Sequence, residues 1–108
     1  MTDMGKSRVT RENLPQVVEF TLRLCESQLQ DAQRDPGNYA LTRDLQIAVD
    51  ALQLINSEIH AKTRRSKDQR SCAFTRYVID EEDRIVMDPA LKETIVAIEE
   101  VYRRTDVI

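Results

Sequence analysis

The chain is poor in the residues that break helices, with two glycines and three prolines among 108 residues. That scarcity, beside much Leu, Ile, Glu, Gln and Arg, leans the whole sequence toward helix. Cysteine is as scarce. Cys25 and Cys72 form neither a metal-ligand spacing nor a disulfide framework, and both thiols read as free in a reducing, cytoplasmic compartment. No apolar run is long enough to cross a bilayer, so no membrane association is expected. The opening residues Met1 to Arg8 carry no apolar run either, and no secretory signal is expected there. A Walker A loop, a dinucleotide fingerprint and a helical zinc motif are all missing, and no cofactor or metal is expected.

What is present is periodicity. Between Tyr39 and Lys62, the residues Leu41, Leu45, Ala48, Leu52, Ile55 and Ile59 recur at steps of four and three, which places one apolar side chain per turn on a single stripe. Ile47, Ala51 and Leu54 make a second stripe beside it, and Arg43, Gln46, Asp50, Gln53, Ser57 and His60 line the opposite side. Two apolar stripes demand more than one covering neighbour. The spacing predicts a long central helix that ends near Thr63 to Ser66, where Lys62, Arg64 and Arg65 suit the negative end of the macrodipole.

A first helix precedes it. Asn13 reads as its N-cap, with Gln16 as reciprocal partner and Pro15 in the first turn. Leu14, Val17, Val18, Leu24, Cys25, Leu29 and Ala32 gather on one side, with Phe20 and Leu22 at its margins. Asp35-Pro36-Gly37-Asn38 then reverses the chain, with Asn38 as the next cap, so the two helices should pack as a long antiparallel αα-hairpin. A last helix opens at Asp88-Pro89, carries Leu91, Ile95, Ile98 and Tyr102 inward, and leaves Lys92, Glu93, Glu99, Glu100, Arg103 and Arg104 solvated.

Residues 73–87 are read as a short β-hairpin. Two runs rich in β-branched and aromatic residues flank the acidic tetrad Asp80-Glu81-Glu82-Asp83, and Asp83 sits where a left-handed residue would close the turn. The competing reading is a helix that continues through the tetrad with Phe74, Val78 and Ile85 inward. The expected architecture is therefore mainly α: a small helical bundle of one αα-hairpin, one short β-hairpin and a C-terminal helix. Residues 1–12 read as a flexible tail and residues 13–108 as one helical domain. The order differs from a winged helix, which needs a helix–turn–helix ahead of its wing; residues 39–62 contain no break to make one.

Charge is uneven within a net −3. Between Lys62 and Arg76 six cations stand against Asp68 alone. Lys62, Arg64, Arg65, Lys67 and Arg70 are the candidate partner contact, suited to phosphates or an acidic protein, although no aromatic residue among them could stack on bases. The alternative for this segment is helix-end charge running into a solvated linker at Lys67 to Ser71. No catalytic residue is assigned. His60 lacks the Glu three residues earlier that a di-iron bundle would need. Cys25 reads as structural, and Cys72, beside Arg70, lacks an orienting group. The acidic tetrad has no Gly to turn a calcium loop.

These features suggest a non-enzymatic protein–protein interaction module: a small cytoplasmic regulator, adaptor or immunity- or antitoxin-type binder, homodimeric through the surplus apolar stripes. The alternative is a nucleic-acid-associated regulator that contacts phosphates through the basic segment.

Overall fold

A computed structural model describes residues 9–62 and 72–104. Four α-helices follow in order: α1 Leu14–Gln33, α2 Tyr39–Ala61, α3 Ala73–Asp80 and α4 Pro89–Arg104. One turn of 3₁₀ helix, Pro36–Asn38, joins α1 to α2, and another, Glu82–Arg84, follows α3. The described residues contain no strand.

The αα-hairpin forms where the sequence places it. Pro36 and Gly37 tighten the reversal, and the Asp35 carboxylate accepts from the Gly37 N–H at 2.9 Å. Asn38 makes no side-chain cap for α2. Down the hairpin, the Gln53 amide donates to Glu26 at 3.3 Å, tying the two helices. Asn13 does not cap α1 in the expected way. Its side-chain oxygen accepts from the Thr10 N–H at 2.7 Å, and the Asn13 N–H donates to the Thr10 hydroxyl at 3.2 Å. That exchange folds residues 10–13 into a turn, and Val9 packs against the core; residues 1–8 of the expected tail lie outside the described residues. Helix α2 stops earlier than its charges suggest. Lys62 takes a left-handed backbone (φ 55°), and its N–H bonds back to Glu58 and Ile59, an ending usually given to Gly.

The core is shared by all four helices. Leu14, Val18, Cys25, Leu45, Ala48, Leu52, Phe74, Ile95 and Ile98 are fully buried. The α1 stripe lies slightly rotated from the expected one: Thr21 and Leu22 are buried, whereas Leu24 is 38% and Phe20 69% exposed. On α2, Val49 and Asp44 join the buried set, and Ile47 is only half-covered. The final helix starts as its sequence indicates, with Asp88 accepting from the Leu91 N–H at 3.0 Å.

Residues 73–87 are not a β-hairpin. They form α3, the 3₁₀ turn and an extended exit, and Asp83 is not left-handed. Phe74, Tyr77 and Val78 recur at the helical step and meet the bundle on one face, with Phe74 completely buried. The helical alternative is correct in its inward residues, although the helix itself ends at Asp80, before Ile85. Local β propensity is overridden by partners supplied from elsewhere. Glu99 of α4 accepts from the N–H groups of Phe74 (2.9 Å) and Thr75 (2.7 Å) and from the Thr75 hydroxyl (2.7 Å). It thus does for the first turn of α3 what an N-cap side chain would do. Glu99 is 1% exposed, which corrects its assignment to the solvated face.

Candidate functional site

Of the basic segment, Lys62 falls within the described residues, exposed at the end of α2. Arg64, Arg65, Lys67 and Arg70, and with them the expected linker Lys67 to Ser71 and the expected helix end at Thr63 to Ser66, lie outside the described residues.

The residues able to do chemistry are largely engaged with the chain itself. Asp44, completely buried on α2, accepts from the Val86 N–H at 2.7 Å, the Met87 N–H at 3.2 Å and the Tyr77 hydroxyl. Arg43 sits over the Tyr77 ring, 5.7 Å from its centroid, and donates to the Arg84 carbonyl at 3.2 Å. Burial and the neighbouring Asp44 push the Tyr77 hydroxyl up to about 12, with Arg43 opposing. Cys25 is fully buried; burial, with a smaller contribution from Glu26, pushes its thiol up to about 11. Cys72 is half-buried and its thiol is also raised, by burial first and then by Glu99, against a lowering from Arg103. This is the opposite of activation by a basic neighbour. His60 is exposed, and its Nδ1–H donates to the Asn56 carbonyl at 2.9 Å. The acidic tetrad forms the exit of α3 and the 3₁₀ turn, and no metal-ligand cluster occurs among the described residues.

The second apolar stripe of α2 lines a cleft between α2, α3 and α4. Ile47, Ala51, Leu54 and Ile55 border a cleft of about 320 Å³ closed on its other side by Ala73, Glu99 and Tyr102. The Tyr102 hydroxyl donates to Glu58 across this cleft. Leu54 remains 40% exposed and Ala51 9%. Of the stripe on which the homodimer expectation rests, Ala51 is buried, Ile47 is half-covered and Leu54 stays exposed along the cleft.

An open apolar surface lies on α1. Val17, Phe20, Thr21 and Leu24 form one wall of a groove of about 550 Å³, and Ala90, Leu91 and Thr94 of α4 form the other, with Val9 and Asn13 at one end. The i, i+4 step puts Phe20 and Leu24 side by side on the rim. Hydrogen-bonding groups, Asn13, Gln16 and Thr94, surround the apolar centre.

Comparison of the chain with protein-family models, with curated proteins and with solved structures finds no match. The functional reading therefore rests on this geometry. The sequence pattern alone puts Phe20 at the margin of the buried face. The signal that could have singled it out is its offset of about 200° around the helix from Val18, which lies at the centre of the buried stripe.

Proposed function

We propose that this chain is a cytoplasmic, non-enzymatic protein–protein interaction module, of the regulator, adaptor or immunity-type class, and that its contact surface is the α1/α4 groove. The observation that carries this reading is Phe20, 69% exposed on the rim of an apolar groove that Leu24 continues. A large aromatic side chain left in water beside such a groove loses burial worth roughly 1.5–3 kcal/mol, which a partner restores. An apolar centre with a polar, mostly uncharged rim is the usual anatomy of a protein contact. The engagement of Asp44 and Glu99 with main-chain amides supports a structural rather than an acid–base use of those carboxylates.

A tagged full-length chain tests the reading in extract of the source cells. The wild-type chain is expected to retain a protein in stoichiometric amount, itself or another, that the Phe20→Glu chain does not. Retention that is equal for both chains, or that disappears with nuclease and with about 200 mM salt, contradicts it and favours phosphate contact through Lys62 and the cations beyond it.

A further inference from the structure

We infer that the cleft between α2, α3 and α4 is a binding site for a linear aliphatic diamine, with one ammonium at Asp50, the other at Glu58 and the methylene chain along Leu54. The site is separate from the α1/α4 groove and does not depend on the interaction reading above.

Asp50, Leu54 and Glu58 follow one another at the i, i+4 step, so they form one row of α2 along the cleft. The row reads acid, leucine, acid. At about 1.5 Å rise per residue, its two carboxylates stand about 12 Å apart along the helix. Leu54 lies between them, 40% exposed. The neighbouring row, Ile47, Ala51 and Ile55, lines the same cleft with apolar surface. A chain charged at both ends and apolar between matches that order. The cleft volume of about 320 Å³ lies at the small end of the roughly 300–1,000 Å³ common to small-molecule sites, which suits a slender aliphatic ligand.

The lining carries charge of one sign. It holds Asp50, Glu58 and Glu99 and, among the described residues, no Lys, Arg or His. Glu19, Asp31, Glu81 and Glu100, elsewhere on the molecule, each pair with an arginine. Asp50 and Glu99 make no ion pair among the described residues. The two carboxylates of the row are also held in place. Gln46 donates to Asp50 at 3.0 Å, and the Tyr102 hydroxyl donates to Glu58 from the opposite wall. Glu99 stays bonded to the first turn of α3 and adds a third negative charge to that wall. Apolar walls strengthen the pull of these carboxylates on a cation relative to open water.

Calorimetric titration and methyl NMR of the full-length chain with diaminooctane, one amine at each end, test this. The wild-type chain is expected to bind one diamine, with shifts at Ile47, Leu54 and Ile55 and none at Leu24. Octylamine keeps the chain and loses one charge, and diaminobutane is too short to reach from Asp50 to Glu58. Each should bind about fivefold more weakly or worse. Asp50→Asn and Glu58→Gln should each weaken diaminooctane about fivefold, whereas Asp31→Asn, on the far end of α1, should leave it unchanged. The carboxamide oxygen of Glu58→Gln still accepts from Tyr102. If its circular dichroism nevertheless changes, Asp50→Asn, whose side chain is exposed, decides the test. An absence of shifts at Leu54 at any diamine concentration overturns the site, and so do shifts confined to Leu24 and Leu91. Equal affinity for octylamine and diaminooctane overturns the two-ended recognition. An equal loss with Asp31→Asn shows only attraction to an acidic chain and overturns the inference as well.

Discussion

Glu99 leaves water to hold two amides and a hydroxyl belonging to residues 24 and 25 positions earlier, and Asp44 does the same for amides 42 and 43 positions later. A buried carboxylate is costly unless its oxygens are filled, and here they are. Removing the acceptor is therefore worse than neutralising it. Glu99→Ala is expected to cost roughly 3 kcal/mol in a urea titration, and Glu99→Gln about half as much, since the carboxamide oxygen still accepts from an amide. Equal losses would mean that the two amides are not the main debt of that site. Cys25 contributes a pH dependence of definite sign. Its thiol is neutral in the fold, with a folded value of about 11 above the ordinary 9.0. That contribution is complete below pH 9 and is lost as pH rises through 11. Unfolding free energy should thus fall over this window in the wild-type chain and less steeply in Cys25→Ala. Parallel curves would contradict a buried thiol. Leu52→Ala should cost roughly 2–5 kcal/mol in thermal or urea unfolding, whereas Gln53→Ala, exposed on the next position, should stay within about 0.5 kcal/mol. Similar losses would mean that α2 is rotated from the face described.

At the scale of elements, α1, α2 and α4 were legible in the sequence because their apolar residues repeat at the helical step and because Pro15, Pro36-Gly37 and Asp88-Pro89 mark the boundaries. Helix α3 was not. It spans eight residues, several of them β-branched or aromatic, and its cap comes from Glu99 on another helix rather than from Cys72 before it. No local pattern contains that pairing. The same distance in sequence hid Asp44 and Glu99, whose partners lie on segments that meet them only in the fold. Phe20 was visible as a residue at the edge of a stripe; that its edge borders α4 was not. Because α3 buries one side chain completely, Phe74, and hangs on two carboxylates, it should open more easily than its neighbours. Native-state hydrogen exchange is expected to give lower opening free energies for residues 74–80 than for α1 and α2, and Glu99→Gln should lower them further while leaving α2 unchanged. Uniform protection across the four helices would contradict a separately tethered α3.

The whole molecule carries two apolar surfaces that look alike in the sequence. The flank of α2 lines a cleft shared with Ala73, Glu99 and Tyr102, with Ala51 buried and Leu54 exposed. The flank of α1 faces outward across a groove to α4. The basic stretch beyond α2 offers Lys62 to solvent and is not needed for the contact proposed. The most direct measurement is methyl NMR of the full-length chain, diluted from high concentration and, where another protein is retained from extract, titrated with that protein. The account predicts shifts at Val17, Leu24 and Leu91, with Ile47 and Leu54 unmoved. Shifts confined to Ile47 and Leu54, or none at Val17, Leu24 and Leu91 in either experiment, would contradict it.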